Sequence, residues 1–308
     1  MLEFAFNDAT DTVSADERAR AEFDPMLRDG QGYVVAQYLH LDFTSVLGNE
    51  MEGGKFQRVT ETDDPVWVTI EIPEEFKNTD PEITRSYGLL NMAGGTTLYL
   101  GDLDTNDDTL TVALNKYGLC ALLMKDKYTD GNSRGSYWDE NGFYRGSDGR
   151  ITSCSWFAED GENIIRLDEF GRIAHGWHRA DIVTDVWTYL DPVTGYKAKP
   201  GWKYIDDAWY HFQNSGFMEE GWIVDETGWK TYYLDSNGRM AHSQWIQAEA
   251  DNDLGMPAGI YHLTADGAVQ MNGWAESPTP GVYWYLRAGD GLFEADNPAC
   301  WSSVNPEA

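Results

Sequence analysis

Basic residues are scarce in this chain. Its 308 residues carry 22 Lys plus Arg against 52 Asp plus Glu, a formal charge of −30. Binding a phosphate backbone needs a basic face, so this balance excludes a nucleic-acid partner. Long apolar runs are also missing. No stretch reaches the roughly 18 apolar residues of a spanning helix, so no membrane insertion is expected. The first residues lack a basic region followed by an apolar core and do not read as a signal peptide. Cysteine is rare. Cys120, Cys154 and Cys300 show no CxxC spacing. Their odd number leaves one unpaired, and each is expected as a buried free thiol.

Catalytic signatures are absent as well. The chain has no nucleophile elbow, no HExxH and no phosphate-binding glycine loop. It is therefore expected to be no enzyme, with no catalytic residue, no metal and no cofactor. His175 and His178 flank Gly176-Trp177 without Cys or a third ligand. The run 102–108 (DLDTNDD) resembles half a calcium loop. It lacks the sixth-position Gly and the closing Glu, and reads as a solvated turn.

What the chain does have is aromatic rings and glycine. It holds 13 Trp, 17 Tyr, 12 Phe and 31 Gly. Short aromatic strands with glycine in the turns predict an all-β fold. The one candidate helix is 14–26, where Ser14 and Glu17 fit a capping box. Residues 1–31 are read as a leader, either a short helix or disordered.

Trp usage divides the rest. A single Trp, Trp67, precedes Tyr128, and twelve follow it. Residues 32–127 are expected to form a β-sandwich module and 128–308 a β-hairpin solenoid. In the first part, strands are predicted at 33–41, 66–72, 96–100, 109–114 and 119–124. In 66–72, Val66, Val68, Ile70 and Ile72 face one way and Trp67, Thr69 and Glu71 the other, which implies one buried face. Five to seven strands in about 100 residues suggest a sandwich. The segments GYVVAQYLHLDF, PVWVTIEIPEEFK and LCALLMKDK resemble a spacer module of Gram-positive surface proteins. That family's pattern is GYxVxxxxDI, PVxVxIPxPxE and SPxALxxKD. Here His40-Leu41 and Tyr117-Gly118 depart from it.

The second part repeats. Trp156, Trp177, Trp202, Trp222, Trp245, Trp274 and Trp301 are spaced by 21, 25, 20, 23, 29 and 27 residues. Periods of this size indicate an array of small units. Each unit reads as an aromatic strand, a polar turn with Gly, a hydrophobic residue, then Gly-Trp or its equivalent. AWYHFQNSGFMEEGW (208–222) and KTYYLDSNGRMAHSQW (230–245) are the clearest copies. A unit of about 20 residues cannot bury its own core, so the units must stack.

This grammar resembles the choline-binding repeat family, the cell-wall-binding repeats of Gram-positive bacteria. Their pattern is GWxxxxxxWYYxxxxGxMxxGW. The resemblance implies choline held between consecutive hairpins by three aromatic rings with a Met nearby. Mapped onto this chain, one cage would use Trp222, Trp229 or Tyr233, Trp245 and Met240. A second would use Trp202, Trp209, Trp222 and Met218, with His211 in place of the family's second Tyr. A third would use Trp177, Trp187, Tyr189 and Trp202, with Lys197 in the Met position opposing a cation. Ile164 and Ile165 replace the aromatic pair in one unit, which is expected to bind nothing.

Three functions stay open at this point. The array attaches to choline on cell-wall teichoic acid, or stacks on a glycan or glucan, or is a structural stalk whose rings are packing core. The reading expected here is a non-catalytic surface fragment, extracellular, cut from a longer exported protein. A homodimer through the last repeat is also left open.

Overall fold

The computed structural model describes residues 2–28, 31–47, 55–104, 106, 108–158, 162–181, 183–225, 227–251 and 253–306. The chain forms two compact units. The first is Met1–Val186 with Leu190–Lys197; the second is Trp187–Tyr189 with Ala198–Ala308.

The first 128 residues of the first unit carry eight strands and two short α-helices. In chain order they are β1 (Leu2–Asp8), α1 (Ala15–Glu22), α2 (Pro25–Arg28), β2 (Val34–Leu47), β3 (Lys55–Val59), β4 (Glu61–Glu71), β5 (Ile83–Asn91), β6 (Leu98–Gly101), β7 (Thr109–Lys116) and β8 (Leu119–Tyr128). Six of the strands form one antiparallel sheet in the order β1-β2-β8-β5-β6, with β3 also on β2. β4 and β7 form a separate two-stranded ribbon. The chain from β6 to β7 therefore passes from sheet to ribbon. It does so through the acidic turn 102–108, of which Thr105 and Asp107 lie outside the described residues. Asp102 is used by its own loop, accepting the N–H of Asp104 and of Thr111.

The ribbon covers one face of the sheet. Val68, Ile70 and Ile72 are buried while Trp67 is exposed, as the period of two requires. Their partners are Leu110, Val112 and Leu114 from β7, and Leu39, Leu41, Phe43, Leu89 and Leu122 from the sheet. The opposite face is also covered. Tyr38, Val35, Leu90 and Leu123 pack with Ala21 of α1, Leu27 of α2, Cys154 and Phe170. This explains why the first six residues of β8, 119–124, are all apolar. Its Cys120, Leu122 and Met124 face one core, and its Ala121 and Leu123 the other.

Two features differ from the sequence reading. β1 and β5 are strands that hydrophobic patterning does not predict, and β5 is central, between β8 and β6. Polar residues break its pattern because they have fixed partners. Arg85 pairs with Asp126, which is fully buried, and Asn91 donates to the Lys116 carbonyl. The capping box at Ser14 and Glu17 is present and starts α1. All three cysteines are free and buried, and burial pushes the Cys120 thiol up to about 12.

The later part of the chain is a run of short antiparallel hairpins. In the second unit they are Gly201–Ile205 with Ala208–Phe212, Gly221–Val224 with Thr231–Leu234, Gln244–Ala248 with Gly259–Leu263, and Gly273–Glu276 with Tyr283–Leu286. Trp301–Ser302 adds a third strand to the last hairpin, so the most divergent copy ends the stack by pairing with Tyr283 and Trp284. One backbone bond recurs from each hairpin to the one before. The N–H of Met218 donates to the Trp187 carbonyl, Met240 to Trp209, Val269 to Thr231 (2.8 Å each) and Phe293 to Ile260 (3.0 Å).

The same positions set the packing. The Met218 side chain lies under Gly238 of the next hairpin, and Met240 lies under Gly267, where a Cβ would collide with the sulfur. Both glycines also have positive φ, 73° and 83°. Glycine is thus required twice over, for the backbone and for the close approach. These contacts show how units too small to fold alone share one core.

Candidate functional site

The hairpin 201–212 turns through Asp206 and Asp207, both at positive φ, as a two-residue type I′ loop requires. Its register sets Trp202 opposite His211 and Tyr204 opposite Trp209. Alternation puts all four rings on one face. The ring centroids are 4.9 Å apart in the first pair and 5.3 Å in the second. The other face carries Tyr210 and Phe212, which are buried. His211 is held by the Glu219 carboxylate.

The next hairpin divides its adjacent tyrosines. Tyr233 lies opposite Trp222 and packs on it edge-on, 4.9 Å apart at 71°. Tyr232 points the other way and meets Trp202 of the preceding hairpin, 5.0 Å apart at 66°. The pattern continues along the unit. Trp222 also meets Tyr261, and Trp245 meets both His262 of its own hairpin and Trp284 of the next. Each of these Trp residues is clasped by one ring from its own unit and one from its neighbour.

An open groove of about 1040 Å³ results. Its aromatic lining is Trp202, Tyr204, Trp209, Tyr232 and Tyr233, joined by Met240. Trp209 is 43% exposed and Tyr204 58%, so their rings remain available to a ligand. Asp207, Asp235, Asp266 and Arg239 line it as well. Lys230 bonds Asp266 at 2.6 Å and holds its carboxyl down at about 2. Asp235 caps its own turn through the N–H groups of Asn237 and Arg239. Arg239 Nε donates to the Tyr210 hydroxyl. Asp207 has the Tyr204 hydroxyl 3.5 Å away.

The eleven residues singled out from sequence are distributed as follows. Trp202, Trp209, Tyr233 and Met240 line the groove together. Trp222 is buried between Tyr233 and Tyr261, with its indole N–H donated to the Glu249 carbonyl. Trp245 packs on His262 and Trp284 and donates to the Glu276 carbonyl. Met218 is half-buried under Gly238. Trp229 is 85% exposed. Trp177, Trp187 and Tyr189 are half-buried in the strands Gly176–Asp181 and Val186–Leu190. Lys197 sits over the Trp156 ring at 5.0 Å, its ammonium pKa lowered by burial. Tyr204 and Tyr232 line the groove but were not among the eleven. The TYYL pair was visible, but not which tyrosine faces which neighbouring hairpin.

Among the described residues, no group of three or more His, Cys, Asp or Glu is placed to hold a metal ion. Nor is any described helix long and apolar enough to cross a membrane.

Residues 199–245, which supply most of the lining of this groove, match the choline-binding repeat. The chain thus carries a C-terminal region like choline-binding repeats. Several solved structures are similar to the chain. CbpJ from Streptococcus pneumoniae TIGR4 is 19% identical with a TM-score of 0.40, over 87% of this chain and 69% of that one. Choline binding protein F from Streptococcus pneumoniae is 18% identical with a TM-score of 0.38, over 83% and 84%. The modular autolysin LytC from Streptococcus pneumoniae is 20% identical with a TM-score of 0.32, over 52% of this chain and only 38% of that one. No curated protein matches the chain.

Proposed function

We propose that the groove of the second unit binds a quaternary ammonium group of the choline type. The arrangement of Trp202, Trp209 and Tyr232 around one opening, with Met240 beside them, carries this reading. A quaternary ammonium has no hydrogen to donate. It is attracted by the negative faces of indole and phenol rings, for about 0.5–2 kcal/mol each according to desolvation. Carboxylates at the rim, Asp207 foremost, add attraction for a cation. The overall charge of −30 draws cations from further away. That charge opposes the phosphates of a teichoic acid, so on such a polymer the headgroup supplies the affinity.

On this reading the region from residue 128 is a non-catalytic attachment module. It holds a longer exported protein to choline-bearing polymers of the cell envelope, outside the cell. The β-sandwich at 32–127 acts as a spacer.

The test is a titration of the full chain with choline and, in parallel, with its uncharged carbon isostere, following Trp fluorescence and melting temperature. A saturable response to choline, at least tenfold weaker with the isostere and lost in Trp209→Ala, is expected. An equal response to both compounds means that the rings bind by hydrophobic contact and that the charge reading is wrong. A response to a neutral glucan alone that is lost in Trp209→Ala assigns the groove to sugar.

A further inference from the structure

The first unit holds a second groove, of about 1010 Å³. One wall is the loop 74–80 that follows β4. The other is the hairpin of Tyr137–Trp138 with Tyr144–Arg145, and Phe143 and Phe170 lie between. We propose that this groove binds a neutral oligosaccharide.

Both walls are fixed by groups behind them. The Phe76 carbonyl accepts from Arg85 Nη1 and from the Tyr87 hydroxyl, each at 2.8 Å. The Asn78 amide donates to the Ile83 carbonyl at 2.6 Å. On the other side Asp139 accepts from Arg145 Nε at 2.7 Å and from the N–H groups of Asn141 and Phe143. Such a groove keeps its shape without a ligand, and its volume is at the upper end of the roughly 300–1,000 Å³ of natural ligand clefts. That is more room than a single sugar ring fills.

Its lining suits sugar rings. Trp138 is 38% exposed and Tyr137 42%. Trp138 is supported from behind by Tyr144, 5.4 Å away at 68°, and by Phe157, so its exposed part is held in place. Sugar rings stack their C–H faces on such aromatics. Around the rings stand the carboxylates of Glu75 and Glu140 and the amide of Asn141. These planar acceptors and donors pair with neighbouring hydroxyls.

Charges of both signs line the groove and many are paired with one another, Lys77 with Glu74, Arg85 with Asp126, and Arg145 with Asp126 and Asp139, which disfavours a charged ligand. Lys77, Arg85, Arg145 and Arg172 all line the groove and oppose a cation. Glu74, Glu75, Asp80, Asp139, Glu140 and Asp168 oppose an anion.

Calorimetric titration of the full chain with cellohexaose, chitohexaose and isomaltohexaose tests this. At least one is expected to bind. Affinity should fall at least tenfold in Trp138→Ala and be partly restored in Trp138→Phe, with melting temperatures showing that both variants are folded. Saturating choline and Trp209→Ala should leave the binding unchanged, which separates this site from the repeat groove. Three results overturn the proposal: no binding in the series, binding that survives Trp138→Ala, or binding lost in Trp209→Ala. Capture of a lysine-rich peptide with no sugar bound would assign the groove to a protein partner instead.

Discussion

Tyr232 meets Trp202 edge-on across two successive hairpins, ring centroids 5.0 Å apart at 66°. One side chain thus serves both packing and the ligand groove. Tyr232→Ala should therefore lower the melting temperature and weaken choline binding together. Trp229→Ala is the contrast, because that ring is 85% exposed. It should change stability by no more than about 0.5 kcal/mol and leave choline binding intact. Denaturant melts and choline titrations of the two variants decide this. Loss of binding in Trp229→Ala would count against the assigned groove.

Gly238 and Gly228 both sit at positive φ, but only Gly238 has a side chain, Met218, against it. Alanine at Gly228 should cost about 1 kcal/mol for backbone strain alone. Alanine at Gly238 should cost about 1–3 kcal/mol more for overpacking. Urea unfolding of the two variants measures the difference. Equal losses would mean that the Met218 contact does not constrain the stack.

Asp126 is fully buried and accepts from Arg85 at 2.6 and 2.8 Å and from Arg145 at 2.9 Å. Neutralising it takes the carboxylate partner from Arg85 and leaves Arg145 with Asp139. Asp126→Asn should destabilise the first unit by about 3–5 kcal/mol. An unchanged unfolding midpoint would show that the network is not part of the core's stability.

The first unit should lose stability as pH rises toward neutrality. Burial pushes the Glu22 carboxyl up to about 7, although Arg166 lies 2.8 Å away, and pushes Asp168 up to about 6. The folded chain holds these protons to higher pH than the unfolded chain does. Their stabilising effect is complete below the ordinary carboxyl values of 4.5 and 3.8 and is lost as pH rises through about 6 to 7. His178 works in the opposite sense. Burial lowers it to about 3, so it costs stability as pH falls below its ordinary 6.5. Between about pH 5 and about pH 7 the two carboxyls outweigh the one histidine. Melting temperature should fall over that range, and fall less in Glu22→Gln. Parallel slopes would remove Glu22 from the account.

Much of this was legible in the chain. Alternation in 66–72 predicted the ribbon face that buries Val68, Ile70 and Ile72. The Trp period predicted the hairpin array, because each unit must repeat the contacts that its neighbour needs. β5 was not legible. Its Arg85 and Asn91 break the apolar pattern, and their partners Asp126 and Lys116 come from other strands. Nor was the role of Tyr232, since alternation separates it from Tyr233 without saying which ring reaches the preceding hairpin.

The sequence by itself determined the all-β class, the acidic surface, the repeat and the aromatic chemistry of any site, because these follow from composition and period. Only the tertiary structure decided which rings are spent on packing and which stay open. Trp222 is buried between two tyrosines, while Trp202, at the equivalent position of the preceding hairpin, is half-buried and lines a groove. The difference is made by the neighbouring hairpin, and a ring's environment across a stack is a non-local fact that no single repeat encodes.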